Sequence, residues 1–439
     1  MGSPNGTSLP PRLLRQDLCD YEPASNLAFN ERIKSARKSG QDIAHFGFGQ
    51  SPFPIPQSFI QGLCKYAACA EYLPAAGLLE LRQGILDWHR RWDGVDHYRV
   101  EDVIVAPGSK ELLYLTLHVF GGEVILSTPA WTTYRPQTVL SQKHSHILHT
   151  RREDKYKITP LLIRTLCQSE HWKPDVPKIL IFNNPNNPSG QAYTEEELKA
   201  LAITFRSEGI YVLSDEIYGR LQFEGKFVSM GSVYPEGSII TSGFSKWASA
   251  GGWRAGYALF PPELEELCRA VQSSGSHTFT CAPTPIQHAL ASALQDSSHS
   301  IYLSKCRQIL AWVSDFCSRN LASVGIAGFP SQGGYYYMAD FEALRERMGK
   351  AGLRNGTQMC EALLSQAGVA LMPCDPTCLR PEGELTVRFC FINFDGKAAM
   401  QMMDEKPELT GDDFVKVCCE DTVAGVERLM NWARDLPQA

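Results

Sequence analysis

Lys178-Ile179-Leu180-Ile181-Phe182-Asn183-Asn184-Pro185-Asn186-Asn187-Pro188-Ser189-Gly190 is a continuous apolar run that stops abruptly in a polar, proline-rich turn. The same construction recurs twice downstream. Residues 210–214 (IYVLS) run into Asp215-Glu216-Ile217-Tyr218, and residues 238–241 (SIIT) run into Ser242-Gly243-Phe244-Ser245-Lys246. Short runs that are apolar at every position suit strands buried on both faces. Between the first two lies a helix start: Thr194 and Glu197 have the spacing of a capping box, and Leu198, Leu201, Ala202 and Phe205 follow at helical spacing. Strands alternating with helices predict an α/β layered domain with a largely parallel sheet. Further runs at 103–106, 123–127 and 255–260 extend it.

Toward the termini the pattern changes. Residues 1–20, rich in Gly, Ser, Pro and Asn, read as a flexible arm. Beyond residue 300 a long helix is expected over 301–322, then short runs, a polar insert at 403–413, and a final helix through Val423, Val426, Leu429 and Met430, together a smaller α+β domain. The large domain is placed at 55–300, with 21–54 joining 301–439 in the small one.

The 439 residues are 44% apolar and 21% charged, which excludes a disordered chain or a coiled coil; at roughly 100–200 residues per domain they make two or three domains. A net charge of −6 argues against nucleic acid as the main partner. No apolar run approaches the roughly 20 residues of a membrane span. The fourteen cysteines contain no CxxC pair, and so long a chain needs no disulfide framework. With no apolar leader at the N-terminus, a cytoplasmic location is expected. Gly2 is not a myristoylation site, because Gly6 stands where Ser or Thr is required. The sequons Asn5-Gly6-Thr7 and Asn355-Gly356-Thr357 have no secretory signal to make them relevant.

Three minor motifs favour ordinary readings. His144, His146 and His149 do not share one strand face, so no metal is expected there. Gly47-Phe48-Gly49 lacks the third glycine of a dinucleotide fingerprint. Glu195, Glu196 and Glu197 complement a helix dipole.

The strand-end segments need a joint explanation. Each alone reads equally as a turn or a helix cap, but ligands of open α/β sheets bind outside the carboxyl ends of the strands. Asn, Asp, Tyr, Lys and Arg converging there match an anionic phosphate, a phenolic oxygen, a pyridine nitrogen and an aldehyde that wants an amine. With Gly252-Trp253-Arg254-Ala255-Gly256-Tyr257 following Lys246, the sequence resembles the class I/II aminotransferases, pyridoxal-phosphate enzymes of fold type I, over about residues 25–435.

The resemblance implies a role for each matched residue. Lys246 is the Schiff-base lysine and proton shuttle. Asp215 pairs with the pyridine nitrogen, and Asn187 and Tyr218 hydrogen-bond the phenolic oxygen. Arg254 pairs with the phosphate, aided by the backbone amides of Ser109 and Lys110 at a helix N-terminus. Trp131 stacks on the ring, and Tyr72 reaches the phosphate of a neighbouring subunit, which makes the protein a homodimer with shared sites. Gly47, in Phe46-Gly47-Phe48-Gly49-Gln50, lets the backbone approach the substrate carboxylate. Arg388, in Thr386-Val387-Arg388-Phe389, grips that carboxylate; the alternative for Arg388 is a salt bridge at the domain surface. Trp131 and Asn187 also face substrate. The implied reaction moves an amino group from an L-amino acid to a 2-oxo acid by a ping-pong mechanism. A C–S lyase, a cyclopropane-forming synthase or a non-catalytic binding protein are alternatives on the same fold. No metal is implied.

The sequence departs from the family pattern in places. Gly243 stands where many members carry a phosphate-binding serine, leaving Ser245 as the available hydroxyl. Ser51-Pro52 replaces Pro-Asp after Gln50, and Pro373-Cys374-Asp375-Pro376-Thr377-Cys378 replaces the usual loop before the arginine strand. Phe48, Trp131, His277, Phe279 and Tyr335 are candidates for the side-chain pocket and read equally as core.

Overall fold

The computed structural model describes residues 15–18 and 25–438. The predicted arm at 1–20 lies outside the described residues apart from residues 15–18, which include the short 3-10 helix Gln16–Leu18, and Gly2 and the first sequon lie outside them too. After a two-residue strand β1 (Ala44–His45), seven strands follow in chain order: β2 (Val103–Ala106), β3 (Glu123–Thr128), β4 (Ser145–His149), β5 (Lys178–Asn183), β6 (Ile210–Asp215), β7 (Ser238–Gly243) and β8 (Gly256–Leu259). These seven form one sheet in the order β2-β8-β7-β6-β5-β3-β4. Pairing is parallel from β4 through β7, and β8 runs antiparallel to both of its neighbours.

The apolar runs are explained by burial on two faces. Val124, Leu126, Ile179 and Ile181 pack on one side with the helices Ser109–Val119 and Glu265–Thr278. Ile125, Leu180, Phe182 and Val212 alternate to the other side and meet Leu198, Leu201 and Phe205 of the helix Glu195–Glu208. That helix opens on the expected capping box, with Thr194 Oγ1 accepting from the Glu197 amide at 3.2 Å and the Thr194 amide donating to Glu197 at 2.8 Å. It closes at Gly209, where φ is +64°.

Four more strands lie beyond residue 330: β9 (Tyr336–Asp340), β10 (Val369–Ala370), β11 (Met372–Pro373) and β12 (Thr386–Cys390). An antiparallel sheet β11-β12-β9 stands beside a parallel pair of β1 with β10. The long helix is Ser298–Ala322, three residues longer at its start than expected, and the last is Glu420–Asp435. The supposed polar insert at 403–413 is corrected. Helix Gly396–Glu405 ends in it and helix Gly411–Cys418 begins in it, because Phe414 and Val415 bury an apolar face that the surrounding charged residues conceal. Among the described residues no helix is long and apolar enough to cross a membrane.

The chain leaving β1 runs along β12. The Phe46 amide donates to the Ala370 carbonyl at 2.9 Å, and the Cys390 amide to the Phe46 carbonyl at 2.8 Å. This brings residues 46–50 to the carboxyl edge of the large sheet.

Candidate active site

Strands β5, β6 and β7 end side by side, with Asn183 opposite Asp215 and Asp215 opposite Thr241. Asn183 Nδ2 donates to the Asp215 carbonyl at 2.8 Å, and its Oδ1 accepts from the Asn187 amide at 2.7 Å. The turn after β5 is thereby folded back over the strand ends. Asn187 is buried, and its Oδ1 has no hydrogen-bond partner. The Asp215 carboxylate is also buried. Tyr134 donates to it at 2.7 Å and the Ile217 amide at 3.3 Å, yet burial outweighs both bonds and pushes its pKa up to about 6.

Lys246 follows β7 by a tight turn. A side chain at Gly243 would crowd the Ala255 carbonyl and the Gly256 Cα, each 3.0 Å from an added Cβ, so a serine there would need β8 to give by a few tenths of an ångström. Lys246 Nζ donates to the Gly49 carbonyl at 2.6 Å and lies 5.7 Å and 5.8 Å from the ring centres of Tyr218 and Tyr335. Tyr335 pins the turn by donating to the Lys246 carbonyl at 2.8 Å. Burial brings the pKa of Lys246 down to about 8; Arg388 and Lys110 push the same way and Asp215 opposes them.

Helix Ser109–Val119 points its N-terminus at the same region. Arg254 takes a left-handed conformation, φ +57°, and donates to the Gly251 carbonyl at 2.8 Å and the Pro107 carbonyl at 3.0 Å. A Cβ at Gly108 would overlap the Arg254 guanidinium, and one at Gly256 would overlap the Ser109 amide. These two glycines let an arginine and a helix N-terminus converge. Gly256→Ala would force β8 and the N-terminus of this helix apart, because the obstructing atoms are backbone. Lys110 Nζ sits 5.0 Å from the Trp131 ring centre, with its pKa lowered by burial and by Arg254. Trp131 meets Tyr134 edge-on at 5.4 Å, which ties it to Asp215.

On the opposite side Arg388, in the centre of β12, is 1% exposed. It donates to the Gly47 carbonyl at 2.7 Å, its guanidinium lies 5.0 Å from the Tyr336 ring centre, and its Nε is buried without a partner. It is therefore no surface salt bridge. Tyr218 donates to the Tyr336 hydroxyl at 3.3 Å. Among the described residues none of Lys110, Lys246, Arg254 and Arg388 has an Asp or Glu within ion-pair distance.

Two sequence candidates stand apart. Tyr72 is 86% exposed and touches none of this cluster. Ser245, partly buried beside Lys246, makes no hydroxyl hydrogen bond among the described residues. Of the proposed pocket aromatics, Trp131 and Tyr335 belong to the site, and the Phe48 carbonyl accepts from Cys390 Sγ at 3.4 Å beside it. His277 is exposed, and Phe279 packs against the helix containing Gly275. Sequence reasoning missed Tyr134, Tyr336 and Gly49. Tyr134 stands one helical turn from Trp131, Tyr336 lies in the run Gly333-Gly334-Tyr335-Tyr336-Tyr337, and a Cβ at Gly49 would overlap the Tyr336 hydroxyl.

A partly buried amine with a lowered pKa, a buried carboxylate and several cations without acidic partners at strand ends form the apparatus of a group-transfer enzyme. Comparison with known proteins agrees. The family model "Aminotransferase class I and II" matches residues 43–395, and the chain belongs to that family. It is a transaminase. An aspartate aminotransferase of Geobacillus stearothermophilus is 32% identical over 371 residues, 82% of this chain and 90% of that relative. A probable aspartate/prephenate aminotransferase of Aquifex aeolicus is 29% identical over 363 residues, 80% of this chain and 88% of the other. The solved aspartate aminotransferase of Thermus thermophilus with maleate superimposes with a TM-score of 0.81 at 25% identity, covering 96% of this chain and 99% of that one.

Proposed function

We propose that Lys246 carries pyridoxal 5′-phosphate and that the surrounding residues use it to transfer an amino group from an L-amino acid to a 2-oxo acid. The supporting observation is the convergence of Lys246, Arg254, Lys110 and Arg388, four cations without acidic partners, on one cluster at the carboxyl ends of the strands. Arg388, buried with no acidic partner, calls for an anion supplied from outside, a carboxylate, while Arg254 stands exposed beside the helix N-terminus, open to a phosphate. The unbonded Asn187 Oδ1 and the cradle that side chains at Gly108 and Gly256 would fill fit the same group.

When bound, pyridoxal phosphate supplies the electron sink for charge at the substrate α-carbon. The chain's residues do the rest. Arg254 and the Ser109 and Lys110 amides hold the phosphate. Asp215, steadied by Tyr134, keeps a proton on the pyridine nitrogen. Asn187 and Tyr218 bond the ring oxygen, and Trp131 covers the ring. Arg388, with Gly47, seats the α-carboxylate, and Lys246 Nζ takes the α-proton; a pKa near 8 leaves part of it unprotonated at neutral pH. Ser245 is available to the phosphate.

We further propose a large domain at 55–300 and a small one formed by 21–54 with 301–439, supported by the pairing of β1 with β10. A cytoplasmic location is supported by the cysteines of the described residues, all of them free. The experiment is incubation with an amino acid and 2-oxoglutarate. Glutamate formation supports the reading. Pyruvate and ammonia without an oxo-acid acceptor would make the enzyme a lyase, and neither product would leave a binding role.

A homodimer completes the proposal, with Tyr72 of each chain reaching the phosphate bound by the other; a tyrosine 86% exposed on a single chain suits a partner-facing role. Mixed and allowed to exchange subunits, a Tyr72 variant and a Lys246 variant, each inactive, are expected to regain partial activity. A fully active monomer would contradict this.

A further inference from the structure

Away from the active site, the described residues gather two sets of metal-ligating side chains: Cys69 with Glu71 and His288, and Glu123 with His144 and His146. In each set the candidate ligand atoms lie within 4.8 Å of one another. The second set is already satisfied. His146 Nε2 is 2.8 Å from Glu123 Oε2, a hydrogen-bond distance, and Lys178 Nζ stands 3.4 Å from the same oxygen, where its charge opposes a dication.

The first set differs on every count. His288 Nε2 lies 3.6 Å from Glu71 Oε1, too far for a hydrogen bond. Tetrahedral ligands about 2.1 Å from zinc are about 3.4 Å apart, so this gap has the size of one tetrahedral edge. Nε2 is shielded from solvent and has no hydrogen-bond partner, a costly state for a polar atom unless something else meets it. Among the described residues no Lys or Arg lies in ion-pair range of Glu71.

The frame is also in place before any ion arrives. A Cβ at Gly62 would come within 2.9 Å of the Ala289 carbonyl, so glycine there lets helices Gln57–Tyr66 and Thr284–Ala293 approach closely. Tyr66 stacks on the His288 ring, centres 5.3 Å apart and planes at 24°, which fixes the imidazole. The loop is tied at both ligands: the Cys69 amide donates to the Tyr66 carbonyl at 3.0 Å, and Thr284 Oγ1 donates to the Glu71 carbonyl at 2.6 Å.

We propose that Cys69, Glu71 and His288 form a zinc-binding site. One thiolate, one imidazole and one carboxylate make a borderline-soft set that selects zinc over magnesium or calcium, with water in the fourth position. On binding, the Cys69 thiol gives its proton to the buffer as the S–Zn bond forms, and nothing is oxidised or reduced. The ion clamps the loop that carries Tyr72 to helix Thr284–Ala293.

The test uses reduced, chelator-treated full-length protein, titrated with zinc chloride by calorimetry and with cobalt(II) by absorption. The expected result is one ion per chain, with a near-ultraviolet thiolate-to-cobalt band. Cys69→Ser removes the band, and Cys69→Ser, Glu71→Gln and His288→Ala each weaken zinc binding at least about tenfold. Three variants at separate positions, each checked by circular dichroism, guard against one that fails to fold. The His144→Ala/His146→Ala double variant leaves both signals unchanged. No zinc uptake at micromolar concentration, a cobalt–thiolate band that survives Cys69→Ser, or loss of zinc only in the His144/His146 variant would overturn the assignment.

Discussion

Replacing Lys246 with alanine is expected to remove nearly all turnover while leaving the fold intact. Loss of the base alone removes roughly 10²–10⁴-fold, and loss of the covalent link adds to it. The fold should survive because, among the described residues, the ammonium hydrogen-bonds only the Gly49 carbonyl, and a partly buried cation without an acidic partner contributes little to stability. Turnover and circular dichroism check the two halves. Borohydride reduction of the native enzyme, followed by peptide mapping, should label Lys246; a label on Lys110 instead would overturn the central assignment. The pH dependence follows from the same burial. Only the unprotonated amine attacks an aldehyde, so uptake of pyridoxal phosphate by the apoprotein should rise as the pH climbs through about 8, where the pKa of Lys246 has been brought. A midpoint near the ordinary lysine value of 10.5 would show that the amine is not desolvated.

What the sequence made legible follows from which interactions are local. β5, β6 and β7 stood out because burial on both faces demands apolar residues at every position, and the turns after them carry polar residues that burial alone does not require. β4 was hidden: as an edge strand with His146 bonded to Glu123, it carries only Ile147 and Leu148 as an apolar signal. Helices Gly396–Glu405 and Gly411–Cys418 were hidden by the charged residues that shield their buried faces. Among the proposed site residues, Lys246, Asp215 and Arg254 lie in short motifs of fixed spacing, which made them legible. Tyr336 was missed because its meeting with Tyr218 spans 118 residues, and no local spacing records a contact between β9 and the turn after β6. Tyr134 was missed because a tyrosine at a helix start reads as core until its hydroxyl is seen on Asp215.

Arg388→Ala is expected to lower kcat/KM toward every α-amino acid while the cofactor stays bound. Arg388 is 1% exposed, its one hydrogen bond among the described residues goes to a backbone carbonyl, and its Nε is unbonded. A cation so placed retains most of its capacity for an incoming carboxylate, and the fork matches that group in two bonds. Truncating one partner of a buried charge pair costs about 2–5 kcal/mol, which corresponds to a fall of roughly 30- to 5,000-fold. Amines lacking the carboxylate never make the pair and should lose far less. Arg388→Lys restores the charge without the fork and should recover only part of the rate. Steady-state kinetics on matched amino acids and amines separate these outcomes, and the visible absorption of the cofactor reports its retention. Cofactor loss in Arg388→Ala would move the residue to the phosphate side. Retained activity with altered preference between acidic and aromatic side chains would move it to the distal pocket. In either case the α-carboxylate would need another anchor, and neither Arg254, which bonds the Pro107 and Gly251 carbonyls beside the helix N-terminus, nor Lys110, which lies over Trp131, bonds the Gly47 carbonyl as Arg388 does.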